Sequence, residues 1–369
     1  MRQRIAALGG VGAAAILAIL LLWSATVSTS ASAMEKMAEE VRKAKSYKCV
    51  QIVQATDDHP APGKPAVREM ASTVYWLAPG SARTEYSNSG WNGPGPEWIT
   101  ISPAGKPYIT INNQTKKFFR YPALRRVEYS STFDNLENLG RFSGEADREL
   151  GTKEINGKKA RGFQIEMKKM EAEYAKPGLA EIWLDPQSNL PVLVRYEGMK
   201  ALGHSDTQID TDIQWNIDLD PKLFDATPPE GYADDTPKPL PLEKQLGQIT
   251  GSLKIYAEAS RGHYPREKNV TSLGTTEDLC KMLGVVKWPG GEKEGNAGKA
   301  AKAMAGFARI CDIQAYNSDA AYYGKTVGPK DKDKVLLRWK LDDGRYEVIF
   351  GDLRAETVPA AKLHALEKK

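Results

Sequence analysis

The sequence predicts an α+β chain in three parts: an N-terminal membrane helix, a domain built on antiparallel sheet, and a smaller α+β domain. Three observations predict it. An uncharged apolar run fills residues 5–23, short two-faced strands follow between residues 46 and 219, and helical periodicity returns after residue 243.

The chain opens Met1-Arg2-Gln3-Arg4, and no charged residue follows from Ile5 to Trp23. At about 1.5 Å per residue this run makes a helix of roughly 28 Å, close to the thickness of a bilayer core. It has no polar stripe, which a buried core helix of that length would show. Arg2 and Arg4 precede the run and the next basic residue is Lys36, so the positive-inside bias puts the N-terminus in the cytoplasm and the rest outside. Ala31-Ser32-Ala33 has the small-x-small form of a signal-peptidase site, with Met34 next. The apolar run is longer than a usual signal core, so residues 1–33 read either as a signal peptide or as a retained anchor holding the cytoplasmic membrane through residues 5–23. No cysteine stands near the end of the run to carry a lipid.

Of 369 residues, 51 are Lys or Arg and 47 Asp or Glu, a formal net charge of +4. Removing Arg2 and Arg4 leaves about +2 on the exported part. Its basic residues are interleaved with acidic ones, so no nucleic-acid partner is expected.

An amphipathic helix is predicted over 34–45, where Met34, Met37 and Val41 share a face. The period then changes to two. Strands are predicted over 46–55, 69–77, 82–86, 97–101, 108–111 and 116–121, separated by turn clusters such as Ala78-Pro79-Gly80, with Asn112-Asn113-Gln114 as a hairpin turn. Phe133, Leu136, Leu139 and Phe142 mark a short helix over 133–142. Further strands are predicted over 149–155, 160–167, 180–185, 191–198 and 207–219. In the last, Ile209, Ile213, Trp215 and Ile217 alternate with Asp210, Asp212, Gln214 and Asn216, which places these acids on a solvated face. The first domain is thus 34–235. Residues 236–242, rich in proline, form a linker. The second domain, 243–369, has helices predicted over 243–260, 276–283 and 297–313. A hairpin of 335–341 and 345–350 follows, then a terminal helix from Pro359.

No catalytic constellation is visible. His59, His204, His263 and His364 are far apart, and neither HExxH nor GxSxG occurs. Gly295-Asn296-Ala297-Gly298-Lys299 fails as a phosphate loop, because Lys293 stands where a glycine is needed and Ala300 where a Ser or Thr is needed. The carboxylates Asp206, Asp210, Asp212, Asp218 and Asp220 read as a solvated strand face rather than a metal site. No enzyme activity, cofactor or metal is expected. Cys280 and Cys311 either pair in an oxidising compartment or, with Cys49, serve as small buried hydrophobes.

One passage is more specific. Glu181-Ile182-Trp183-Leu184-Asp185-Pro186, running on through Leu190-Pro191-Val192-Leu193-Val194-Arg195-Tyr196-Glu197, resembles the strand–turn–strand signature of the outer-membrane lipoprotein-sorting superfamily of LolA-like carriers and RseB-like sensors. Trp215-Asn216-Ile217-Asp218, Leu223-Phe224-Asp225 and Pro228-Pro229-Glu230-Gly231-Tyr232 look like its closing phrase, so the resemblance spans about 34–232. It implies an open antiparallel half-barrel with helices on its concave face and an apolar cavity for acyl chains. Val192, Val194 and Tyr196 would share the inner face. The cavity candidates are Val74, Trp76, Ile99, Ile101, Ile109, Ile111, Phe163, Ile165, Ile182, Leu184, Val192, Val194, Ile213 and Trp215.

Two roles follow from the resemblance. One is a periplasmic carrier or tethered binding module for an apolar ligand or lipidated partner. The other is an extracytoplasmic sensor of an envelope-stress (sigma factor) pathway acting through an envelope protein partner. The C-terminal part weakly resembles soluble pilin and pseudopilin domains, in its Tyr256…Gly262-His263-Tyr264-Pro265 phrase and late hairpin.

Overall fold

The computed structural model describes residues 30–57, 67–87, 95–122, 136, 138–142, 144–170, 178–201, 204–266, 270, 272–286 and 294–367. The apolar run 5–23 and the first part of the 133–142 helix lie outside them. No described helix is long and apolar enough to cross a membrane.

Helix α1, Ser30–Lys43, begins four residues before the predicted start and packs Ala33, Met34, Met37, Ala38 and Val41 inward. Their i, i+3, i+4 spacing lays them along one stripe, and Arg42 and Lys43 in the last turn favour the negative end of the helix dipole.

Eleven strands then follow almost where alternation places them: β1 (Ser46–Asp57), β2 (Val67–Leu77), β3 (Ser81–Ser87), β4 (Trp98–Ser102), β5 (Tyr108–Asn112), β6 (Lys117–Tyr121), β7 (Arg148–Ile155), β8 (Lys158–Glu166), β9 (Leu179–Leu184), β10 (Pro191–Ala201) and β11 (His204–Trp215). A two-residue strand, β12 (Ala233–Asp234), pairs in parallel with β6; every other pairing is antiparallel. The sheet order is β12-β6-β5-β4-β3-β2-β1-β11-β10-β9-β8-β7. The first strand therefore lies at the centre, joining a β2–β6 wing to a β7–β11 wing. The two ends do not pair, so the expected antiparallel sheet is present and does not close into a barrel.

The second domain carries α2 (Leu242–Ala259), α3 (Ser272–Leu283) and α4 (Gly295–Tyr316). Behind them stands a four-stranded sheet of order β13-β14-β15-β16, and α5 (Ala360–Leu366) ends the described chain. The predicted hairpin is β14 (Val335–Lys340) with β15 (Tyr346–Phe350). The flanking strands β13 (Ala321–Tyr322) and β16 (Ala355–Val358) have no counterpart in the sequence reading. Ile249, Leu253, Phe307, Ile310, Leu336 and Ile349 form its core, all fully buried. Cys280 is buried there too, and no disulfide joins it to Cys311. The two domains meet where the Tyr108 hydroxyl on β5 lies 3.0 Å from that of Tyr316 on α4.

Candidate functional site

Residues opposed across an antiparallel ladder share a face, so the register divides the candidate residues into two sets. One row runs Trp76–Tyr47–Trp215 and the next begins Val74–Cys49. A third runs Ser72–Gln51–Asp210–Val194–Ile182–Phe163, and a fourth Met70–Val53–Gln208–Tyr196–Ala180–Ile165. All of these lie on the face that α1 covers. Phe163, Ile165, Ile182, Leu184 and Val194 pack there with Met34, Met37, Leu139 and Phe142, and Ile213 and Trp215 close the cluster's edge. Val74 and Trp76 join Tyr47, Cys49, Ile213 and Trp215 beside them. The Trp215 indole N–H donates to the carbonyl of Pro191 at 2.7 Å, tying β11 to the start of β10.

Five of the fourteen candidates fall elsewhere. Ile99, Ile101, Ile109 and Ile111 sit on the opposite face with Phe118, covered by Ala226 and Tyr232 from the chain that follows β11. The same covering chain is held by Arg83, whose guanidinium donates to the carbonyl of Leu223 at 3.2 Å. Val192 also departs from its expected place beside Val194. A register shift between Pro191 and Leu193 puts it with Ile155, Ala160 and Trp183, away from α1.

The α1-covered face of the β2–β6 wing carries residues that the sequence reading did not single out. Thr84 pairs with Thr100 and Thr100 with Thr110, while Tyr86 pairs with Trp98 and Thr110 with Phe119. Trp76, Tyr86, Trp98 and Phe119 are each half-buried. Trp98 and Phe119 stack at 6.4 Å between ring centroids, and Tyr108 stacks on Tyr121 at 4.6 Å. In the rows of β2 to β6 on this face the charged side chains stand at the periphery: Arg68, exposed near the start of β2, and Lys117 at the sheet edge, where it pairs with Asp235. Unlike the β7–β11 wing, this wing has aromatic and threonine side chains where the other has close-packed aliphatics.

Between the wings the floor is polar. Asp210, expected on the solvated face, is 4% exposed. The cause is a bulge: β1 pairs Lys48 with Gln214 and then Val50 with Thr211, and Asp212 takes a left-handed φ of 50°. One extra residue reverses the parity of the strand, so Ile213 and Trp215 face inward after it and Gln208 and Asp210 before it. Asp206, Asp212, Asp218 and Asp220 keep partial or full exposure. The Asp210 carboxylate accepts from the side-chain amides of Gln51 and Gln208, each at 3.1 Å. Burial raises its pKa to about 6 against these two donors. Burial likewise pushes the Cys49 thiol and the Tyr47 and Tyr196 phenols up, with the charge of Asp210 adding to each. The Tyr196 hydroxyl is buried with no hydrogen-bond partner among the described residues. Among those residues no group of three metal-ligating side chains occurs. The floor offers hydrogen bonds and one titrating acid, without a nucleophile–base pair.

No family model and no curated protein matches the sequence. Solved structures do resemble its fold. LprF from Mycobacterium bovis aligns at 10% identity and a TM-score of 0.35, over 55% of this chain and 97% of its own. The LolA superfamily protein NE2245 from Nitrosomonas europaea aligns at 11% and 0.25, over 54% and 98%. MucB in the Pseudomonas aeruginosa MucA/MucB complex aligns at 11% and 0.29, over 54% of this chain and 61% of its own. At these scores the likeness concerns the fold, and no residue role is carried over from it.

Proposed function

We propose that the chain is a non-enzymatic protein of the cell envelope, delivered there by residues 1–33, that binds an acyl chain or a lipidated partner on the α1-covered face of its large sheet. The observation that carries this reading is the aromatic and threonine surface of the β2–β6 wing. Trp76, Tyr86, Trp98 and Phe119 are only half-buried, and Thr84, Thr100 and Thr110 share their face of the sheet. A flat apolar surface of this kind, rimmed by polar groups, is what a greasy ligand takes from water. The polar floor at Gln51, Gln208 and Asp210 supplies a place for a ligand's hydrogen-bonding end. The β7–β11 wing, closed by α1, is the rigid support.

The reading implies that protein purified from membranes carries lipid or lipopeptide, identified by native mass spectrometry and solvent extraction. After removal of that lipid, an acyl chain brominated along its length should quench the emission of Trp98 and Trp76 and be displaced by its unbrominated form. Protein that is consistently lipid-free and whose emission brominated chains leave unchanged defeats the proposal.

A further inference from the structure

We propose that a basic hollow in the second domain binds a phosphate-type anionic group. The hollow has a volume of about 470 Å³ and lies between the chain after α2 and the 324–331 loop. Arg261, His263, Arg266, Lys325 and Lys330 line it, against the single carboxylate of Asp331. That carboxylate is already committed. It accepts from the Gly328 N–H at 2.9 Å and pairs with Lys334 at 2.8 Å, and the ammonium beside it lowers its pKa. Four Arg and Lys side chains thus line the hollow, and Asp331 is the single carboxylate among its lining residues.

The arrangement stands apart from the rest of the domain. Residues 243–369 contain six arginines. Arg309 pairs with Asp312, Arg338 with Glu367, Arg345 with Asp343, and Arg354 with Asp352 and Glu356. The two with no carboxylate partner among the described residues, Arg261 and Arg266, both line the hollow. Arg261 also holds a left-handed φ of 60° at the end of α2, a position that ordinarily goes to glycine or asparagine. The helix dipole favours a cation there, but it does not account for Arg266, Lys325 or Lys330.

The walls are preformed. The Tyr322 hydroxyl donates to the carbonyl of Pro265 at 3.0 Å, joining the two chain segments beneath the hollow. A β-carbon on Gly324 would come within 2.3 Å of that same carbonyl. The Tyr264 hydroxyl, fully buried, donates to the carbonyl of Gly351 at 2.6 Å. Fixed walls reduce the ordering that an anion must pay for on binding, and two guanidinium forks match phosphate oxygens in pairs. Through Gly262 and Pro329 the hollow borders a shallower groove of about 680 Å³ along α2, so a phosphate with a chain attached has somewhere to lay it.

The phosphate can belong to a lipid headgroup or to a free phosphate compound, and one set of titrations separates them. The full chain in a neutral detergent is titrated calorimetrically with inorganic phosphate, dihexanoyl-phosphatidylglycerol and, as the zwitterionic comparison, dihexanoyl-phosphatidylcholine. Binding of the phosphatidylglycerol alone assigns the hollow to a headgroup; binding of inorganic phosphate that competes with it assigns a free phosphate. Either affinity is expected to fall at least tenfold in R266Q/K325Q and to weaken with salt. It should be unchanged in K299Q/K302Q, whose lysines are exposed on α4 away from the hollow. Circular dichroism checks that both variants fold. Binding of neither anion overturns the proposal, as does binding that R266Q/K325Q leaves intact. The apolar-ligand reading concerns the other domain, so brominated-chain quenching can succeed or fail independently.

Discussion

Gln51 on β1 and Asp210 on β11 stand directly opposite each other at the centre of the large sheet, and the Gln51 amide donates to the Asp210 carboxylate at 3.1 Å. This pair joins the two wings on the face that α1 covers. It places a buried acid whose charge is offset only by two neutral amides.

That acid makes stability depend on pH in a direction opposite to the usual carboxylate. Its folded pKa, about 6, lies above the ordinary 3.8, so the native state holds the proton more tightly than the unfolded chain does. The native state gains from the proton below about pH 4, and the gain is lost as pH rises through 6. The upper bound is on the order of 3 kcal/mol. Asp210→Asn keeps an oxygen for the Gln51 and Gln208 amides and removes the charge. Urea unfolding should therefore show the variant more stable than the parent at pH 7.5, with the difference shrinking toward pH 4. An equal difference at both pH values would mean that the charge of Asp210 costs nothing.

A second consequence concerns Gly162 on β8. The Trp183 ring lies flat over it, and a β-carbon there would approach the ring to 2.6 Å. Lys153 completes the stack, its ammonium 3.9 Å from the ring centroid. Gly162→Ala should displace Trp183 and destabilise the first domain by about 1–3 kcal/mol, read as a lower urea midpoint. Trp183→Leu in the same background should recover part of the loss, because the smaller side chain leaves room for the methyl group.

The clasp of α1 is the third. Met37 is fully buried with Met34 among Phe163, Ile165 and Ile182. Met37→Ala leaves a cavity beneath a helix that has no other core to join, and a loss of about 2–5 kcal/mol is expected. If thermal unfolding shifts by less than a degree, α1 is not part of the cooperative unit.

Much of this fold was legible in the sequence because strands with one apolar and one polar side announce themselves by period two. The helices and the β14–β15 hairpin were visible for the same kind of reason. Legibility failed where two faces compete. In β4 (Trp98-Ile99-Thr100-Ile101-Ser102) and β5 (Tyr108-Ile109-Thr110-Ile111-Asn112) the isoleucines are the greasier set, so alternation alone assigns them to the cavity side. They are greasy because the chain around Ala226 and Tyr232 covers them, a contact more than a hundred residues away in sequence. It failed again at Asp210, since a one-residue bulge at Asp212 inverts inside and outside without any local mark beyond a left-handed aspartate. β12 and β13, two residues each, and β16, with four, are too short to show a period.

That ambiguity supplies the sharpest test of where the ligand sits. Ile101 and Ile109 are 3% and 1% exposed beneath the covering chain, whereas Trp98 and Phe119 on the other side of the same strands are half-buried. If the aromatic side is the binding surface, Trp98→Ala and Phe119→Ala should each weaken acyl-chain binding, by about 1–3 kcal/mol, the worth of a well-contacted aromatic side chain. Their urea midpoints should move little. Ile101→Ala and Ile109→Ala should do the reverse, losing about 2–5 kcal/mol of stability while the folded fraction binds as the parent does. Fluorescence titration with a brominated chain, alongside urea unfolding of the four variants, reads both quantities. Should the isoleucine variants lose binding at full fold while the aromatic ones keep it, the ligand lies on the face that the covering chain occupies, and that chain must move to admit it.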